Sequence, residues 1–186
     1  MDDGTLLERY REHDDRQALE TLVERYRRPL FGYILNMTEG RGDAEDVFQE
    51  VWLRALKNLD RFTNRGLQSW LMRIARNLVI DRARKHKPEL TLDKPVGDDE
   101  GSTKLDHVAS DQRMPDEVLT GEDTQARVFE AVNRLPDDQK DVFLMRVKSE
   151  LSFKEIAEIQ DVSINTALAR MQYALAKLRD MLAEEL

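Results

Sequence analysis

The sequence predicts an all-α protein of two small helical domains joined by an acidic flexible linker. Three observations carry that prediction. Of the 186 residues, 40% are apolar and 35% charged, with eight glycines and five prolines, a profile of soluble helical proteins rather than disordered or β-rich ones. Apolar residues recur at helical spacing in the first and last thirds of the chain, and no period-two run stands out as a strand. Between them lies an acidic tract with scattered prolines, glycines and serines and no sustained period. The domains are therefore placed at residues 1–87 and 125–186, with 88–124 as the linker.

Taken in order, Leu6 to Arg11 predicts a short helix. From Asp14 or Asp15 the residues Ala18, Leu19, Leu22, Val23, Tyr26, Leu30, Tyr33 and Ile34 keep one apolar stripe, predicting a long helix to about Met37. Pro29 lies inside it and is expected to kink it, because proline removes an N–H. Gly40 and Gly42 break the chain, and Asp43 is expected to cap a helix to about Leu59 with Val47, Val51, Leu53 and Leu56 inward. Asp60 to Gly66 reads as a loop. Gln68 to Lys87 predicts another helix, with Trp70, Leu71, Ile74, Leu78 and Val79 inward and arginines outward.

Pro88 ends the first domain. Order returns near Pro115, where Val118, Ala126, Val128, Phe129, Val132 and Leu135 predict a helix. Pro136 at the first helical position, followed by Asp137 and Asp138, starts another to about Lys148. Ser152 and Glu155 form a capping box ahead of a short helix carrying Ile156, Ala157 and Ile159. Gln160 and Asp161 interrupt it. Ser163 then caps a second helix, in which Leu168, Met171, Leu175 and Leu178 recur at helical spacing. A short capped helix, a tight turn and a longer capped helix match the layout of a helix-turn-helix, and equally of an ordinary helical hairpin.

Charge separates partners from non-partners. The net charge of −8 argues against nucleic-acid binding as a bulk property, but its distribution does not. The tract 88–124 carries 11 acidic residues against 3 basic, whereas Arg54 to Lys87 carries 10 basic residues against only Asp60 and Asp81. That run is an electrostatic footprint for phosphate. The absence of cysteine excludes disulfides, thiolate metal sites and thiol redox sensing. No apolar run approaches the ~18 residues of a membrane span, and the acidic N-terminus is not a signal peptide, so no membrane insertion and a cytoplasmic location are expected. His13, His86 and His107 lie in terminal, domain-end or linker positions, with no glycine-rich phosphate loop. No catalytic residue, metal site or cofactor is expected.

Three stretches are candidates for function. In DAEDVFQEVWLRALKNL, Asp46, Gln49, Glu50 and Arg54 form one polar ribbon, either a solvated face or a dock for a partner helix bearing arginines. In residues 60–87, Phe62 and Trp70 lie among arginines, which suits unpaired bases: a π-face to stack on and cations along the backbone. Trp70 also fits a core position, whereas the 60–66 loop could form a pocket for an extruded base. In the helix-turn-helix, the second helix presents Asn165, Thr166, Leu168, Ala169, Arg170, Gln172 and Tyr173 where recognition helices touch base edges.

The motifs DAEDVFQEVW, WLMRIARNLVIDRARK and LPDDQKDVFLMR, followed by SFKEIAEI and SINTALARMQYALAKLR, occur in this order. The chain thereby resembles a bacterial sigma factor of the extracytoplasmic-function type (group IV), which keeps conserved regions 2 and 4. The resemblance implies that residues 1–87 form a region-2-like helical bundle and residues 125–186 a region-4-like helix-turn-helix. It assigns Asp43, Asp46, Gln49 and Glu50 to the coiled-coil clamp of the polymerase β′ subunit. It assigns Arg61, Phe62, Arg65, Trp70, Arg73, Arg76, Asn77 and Arg84 to opening and reading the −10 element as single strand. Ser163, Asn165, Thr166, Leu168, Ala169, Arg170, Gln172 and Tyr173 would read the −35 duplex, and the same region would touch the β flap. An anti-sigma factor is the implied inhibitor.

Two residues depart from the family pattern. Met72 stands where a tyrosine is usual, which puts stacking there in doubt. Leu168 and Ala169 stand where basic residues are common, which leaves Arg170 as the leading phosphate or base contact and implies an unusual or weak −35 preference. A stand-alone helix-turn-helix repressor is the rival reading, and it leaves the first two motifs without a role. The 37-residue linker has a contour of roughly 120 Å but a random-coil span of about 30–35 Å, against about 70 Å between two promoter elements two helical turns apart. It can reach but cannot set the spacing, so the polymerase must hold both domains in register. The linker's acidity also suggests a compact free chain, with the basic helix folded against the second domain.

Overall fold

A computed structural model describes residues 1–59, 62, 66–86 and 122–183. The predicted linker therefore lies outside the described residues except at its last three positions, which belong to a helix. Among the described residues there are eight helices: α1 (Asp3–His13), α2 (Arg16–Met37), α3 (Arg41–Lys57), α4 (Leu67–His86), α5 (Glu122–Asn133), α6 (Asp137–Ser149), α7 (Phe153–Gln160) and α8 (Ile164–Ala183). None of them is long and apolar enough to cross a membrane.

Capping sets most of the helix starts. The Asp2 carboxylate accepts the Thr5 N–H at 2.9 Å, which starts α1 three residues earlier than its apolar pattern implied. Asp15 accepts from the N–H groups of Gln17 and Ala18 and starts α2, which runs unbroken through Pro29. Leu22, Leu30, Tyr33 and Ile34 of α2 are fully buried, as their spacing predicts. Phe31 meets Phe48 of α3 edge-on, with ring centroids 5.8 Å apart, and the Arg27 guanidinium covers the Phe48 ring.

The start of α3 differs from expectation. Gly40, in extended backbone, is the N-cap, and Asp43 lies in the first turn, where its charge faces the positive end of the helix dipole. The inward face of α3 differs too. Val47 and Val51 are fully buried, but Trp52 rather than Leu53 completes that side, and Leu53 is 52% exposed. A step of 100° per residue carries position 53 past the core edge. Gly66 opens α4 at φ +88°, a conformation that L side chains rarely adopt, and its carbonyl accepts the Trp70 N–H at 3.2 Å. Leu71, Met72, Ala75, Leu78 and Val79 then bury the helix against α2 and α3.

In the C-terminal half, Pro136 is the N-cap of α6 rather than its first residue, with extended backbone at φ −55° and ψ 145°. On α5, Val132 is buried as its spacing predicts and Ala131 joins it, whereas Phe129 is 45% exposed. The predicted capping box is present: the Ser152 hydroxyl caps the Glu155 N–H, and the Glu155 carboxylate accepts the Ser152 N–H at 2.8 Å. Asp161 ends α7 in the left-handed conformation, and the Ser163 hydroxyl caps α8 at Thr166. The α8 core face consists of Ala167, Met171, Ala174 and Leu178; Leu168 points outward, 37% exposed.

The two halves are in contact. α2 lies on α6, and α4 lies on α7. Among the described residues the buried polar side chains are Asn36, Asp141, Ser149 and Gln160, and the last three line this seam. Buried polar groups need partners: Asp141 and Ser149 find them across the seam, in Tyr33, Arg76 and the Pro29 carbonyl, whereas Gln160 bonds Asp141 and Arg170 within its own half.

Candidate nucleic-acid interface

The α3 ribbon is an open surface. Asp46 and Gln49 are exposed, and Asp46 has no ion pair among the described residues. Glu50 is held by Arg54, Nε to carboxylate 2.8 Å, and this bond keeps its carboxyl below the usual value. Asp43 lies 3.5 Å from the Arg82 guanidinium in a cleft walled by Met37, Thr38, Glu39, Val79 and Ala83. Sequence reasoning missed Leu53 here. It falls seven residues after Asp46 and four after Gln49, so it is an exposed apolar group on the same side as these polar residues, and the spacing alone could have found it.

The aromatic pair is assembled as one shelf. Phe62 and Trp70, both half-buried, stack at 4.9 Å between centroids with a 36° tilt. The chain leading to them is fixed from a distance: the Arg11 side chain on α1 donates to the Leu59 carbonyl, and the Phe62 N–H returns to the same carbonyl at 3.0 Å. Arg61 and Arg65 lie outside the described residues. On α4, Arg73, Asn77 and Arg84 are exposed and follow one another at helical spacing, a strip of two cations and an amide. Met72 is fully buried, so this position is core and not a stacking surface.

Arg76 faces elsewhere. Its Nε donates to the Asp141 carboxylate at 2.6 Å, with the two side chains only 17% and 4% exposed. Asp141 also accepts from the Tyr33 hydroxyl at 2.7 Å and from Gln160 Nε2 at 2.8 Å. Burial, and then the Asp141 charge, push the Tyr33 hydroxyl well above its ordinary pKa, so it stays protonated as a donor. Arg73 donates to the Glu158 carbonyl at 2.8 Å, Gln68 to the Ser149 carbonyl at 2.6 Å, and the Ser69 hydroxyl to Glu155 at 2.6 Å.

On α8, Asn165, Leu168 and Gln172 share an exposed face, with Tyr173 beside it at 64% exposure. Ser163 and Thr166 are tied together in the cap, their hydroxyls 2.8 Å apart. Ala169 is half-buried. Arg170 turns back toward the domain: one nitrogen donates to Gln160 at 2.8 Å and the other to Asp138 at 3.0 Å. Ile164, 46% exposed one turn before Leu168, belongs to this surface and was missed because it stands at the helix start, before any period is established.

Comparison with known proteins gives consistent results. Residues 22–89 match the family described as Sigma-70 region 2, and residues 125–178 match Sigma-70, region 4. The chain is 32% identical over 171 residues to the ECF RNA polymerase sigma factor SigW of Bacillus subtilis (strain 168), covering 91% of each. Two solved structures share the fold. The sigma factor RpoE in complex with the anti-sigma factor NepR, from Bartonella quintana, superposes with a TM-score of 0.67 at 22% identity, covering 89% of this chain and 96% of that one. CnrH in complex with the cytosolic domain of CnrY does so with a TM-score of 0.69 at 20% identity, covering 99% of each chain.

Proposed function

The chain belongs to the extracytoplasmic-function sigma factors, non-enzymatic proteins that direct RNA polymerase to promoters through regions 2 and 4, and we propose the following division of labour among its residues. Residues 1–87 serve polymerase binding and the −10 element, and residues 125–186 serve the −35 element. The observation that carries this reading is the placement of two unlike surfaces on adjoining helices. α3 offers an open acidic and amide ribbon followed by one exposed apolar residue, and α4, packed against it, offers arginines beside an aromatic shelf.

Asp43, Asp46, Gln49 and Glu50 dock the polymerase β′ clamp, with Leu53 as the apolar anchor at the C-terminal end of the set. A half-exposed leucine at the end of an acidic and amide ribbon suits a helix pair that buries an aliphatic contact and meets arginines at its rim. Arg73, Asn77 and Arg84 follow the backbone of the separated strand, and Phe62 and Trp70 supply the stacking face. Arg61 and Arg65 extend that charge. Base–aromatic stacking at about 1–3 kcal/mol per base is the source of strand-opening energy, since no covalent chemistry is involved.

On α8, Asn165 and Gln172 have the side chains for bidentate contact with adenine, and Ile164 and Leu168 for apolar contact with a thymine methyl. This surface predicts an A·T-leaning −35 preference set by shape and methyl groups more than by arginine. Ser163 and Thr166 position the helix start; Ala169, Arg170 and Tyr173 flank the groove, and the β flap takes the outer side of the same domain. An anti-sigma factor is the inhibitor, a reading supported by fold neighbours captured with such partners, and the site of action is the cytoplasm, with the polymerase.

Run-off transcription with core polymerase tests the assignment. The chain is expected to confer promoter-dependent initiation, and Asp46→Lys with Glu50→Lys to abolish it by abolishing core association. Retention of polymerase binding by that double variant would overturn the α3 assignment.

A further inference from the structure

The proposed function gives work to α3, α4 and α8 but none to α1, which lies ahead of the residues that match region 2. α1 is nonetheless tied down near both ends. Near its start the Asp3 carboxylate accepts from the Arg25 guanidinium and the Tyr26 hydroxyl of α2, and near its end Arg9 pairs with Asp15. Leu6 and Leu7, between these ties, are buried. The helix stops at Asp14, in the left-handed conformation, so Arg11 stands in its last turn. From there the guanidinium reaches across 48 positions of sequence to donate to the Leu59 carbonyl. The Leu59 side chain is buried, so the residue that carries this carbonyl is itself anchored in the core. A carbonyl oxygen has two lone pairs, and here the second takes the Phe62 N–H at 3.0 Å. The Phe62 ring lies on Trp70, whose own N–H is tied to the Gly66 carbonyl.

We propose that Arg11 is a positioning residue for the stacking face: without touching DNA, it sets the direction in which Phe62 presents its ring. The proposal rests on the reading of Phe62 and Trp70 as the face on which an unpaired base stacks. A base gains most from an aromatic pair whose rings are already held in place. A ring free to swing must first be ordered, and that ordering is subtracted from the stacking energy. With both lone pairs of the Leu59 carbonyl engaged, α1, Leu59 and Phe62 are held as one unit. Without the guanidinium, Phe62 keeps only a neutral backbone bond there. Charge-assisted hydrogen bonds are the stronger kind. Because Arg11 is exposed and water competes for it, its loss shifts the occupancy of the set shelf by about tenfold and not more. The penalty falls on strand opening alone. The docking residues of α3 and the exposed face of α8 stand on other helices, so polymerase binding and duplex reading do not depend on Arg11.

The test uses the full chain, first alone and then with core polymerase. The chain has two tryptophans, and Trp52 is buried, so acrylamide quenching of fluorescence reads chiefly the half-buried Trp70. Arg11→Ala is expected to raise that quenching, and Arg11→Lys, which keeps a charged donor, to fall between it and wild type. In the holoenzyme, permanganate reactivity of the −10 thymines measures strand opening, and fluorescence anisotropy measures core affinity. Arg11→Ala should lower opening by about tenfold with core affinity unchanged. Phe62→Ala, measured alongside, tests the underlying reading of the shelf. Unchanged quenching in Arg11→Ala overturns the positioning role. So does raised quenching with wild-type opening where Phe62→Ala opens poorly, because the shelf then works without being set. Raised quenching with wild-type opening in both variants keeps Arg11 as the holder of the shelf and faults the assignment of the shelf to the −10 strand. Parallel losses of thermal stability and core affinity in Arg11→Ala mark a merely structural contact and overturn the proposal.

Discussion

Leu53 gives the sharpest test of the polymerase-docking face, because its contributions to folding and to binding can be separated by arithmetic. Fully burying a leucine side chain is worth about 1.5–3 kcal/mol. Leu53 is 52% exposed in the chain, so about half of that, roughly 1 kcal/mol, has been gained on folding and the other half is available to a partner. Leu53→Ala should therefore weaken core binding by about 1 kcal/mol, close to fivefold in Kd, and lower folding stability by no more than a similar amount. Fluorescence anisotropy of labelled chain titrated with core polymerase measures the first, and thermal unfolding the second. Asp46→Asn provides the calibration. Its carboxylate has no ion pair among the described residues, so its loss should register fully, whereas Glu50→Gln should register less because Arg54 already holds that charge. Wild-type affinity for Leu53→Ala alongside weakened binding of Asp46→Asn would refute the anchor role. Wild-type affinity for both would refute the face.

Three further predictions concern other parts of the chain. Leu168→Arg should change the −35 bases recovered in a selection of active promoters, because it places a guanidinium on the exposed face with Asn165 and Gln172; an unchanged consensus would remove these positions from base reading. Met72→Tyr should destabilise the fold by about 1–3 kcal/mol in denaturant titration without improving strand opening, because the site is fully buried and overpacking is costly. Acid should loosen the seam at Glu155. Burial raises this carboxyl, but hydrogen bonds from Ser69 and Ser152 outweigh it and leave it below the ordinary 4.5. A depressed value means that its contribution is present above pH 4.5 and is lost as pH falls through the lower folded value. In melts over that window the wild type should lose stability relative to Glu155→Gln, and parallel curves would contradict the assignment.

What was legible in the sequence were the features written locally. The helix starts at Asp15, Ser152 and Ser163 stand where side-chain chemistry put them, because a cap involves only residues within one turn. The α2 stripe and the buried faces of α4 followed from spacing. Expectations failed where spacing does not say what fills a space. Leu53 and Phe129 fit an apolar pattern but point to solvent, since Trp52, Ala131 and Val132 already fill the interior. Gly40 displaced Asp43 as a cap because extended backbone there let the helix begin earlier. The seam was the least legible part. Tyr33 and Asp141 are 108 positions apart, and nothing in the neighbourhood of either specifies the other. Arg76 and Arg170 looked like free cations because an arginine outside the apolar stripe has the same pattern whether it faces water or a carboxylate.

The described residues on either side of positions 60–65 are held as two fixed posts. Upstream, α1 clamps the Leu59 carbonyl through Arg11, and downstream, the positive φ of Gly66 fixes the direction in which α4 departs. Phe62, between them, answers to both sides, with its N–H on the Leu59 carbonyl and its ring on Trp70. The aromatic shelf is thus anchored in part by a helix more than forty positions upstream.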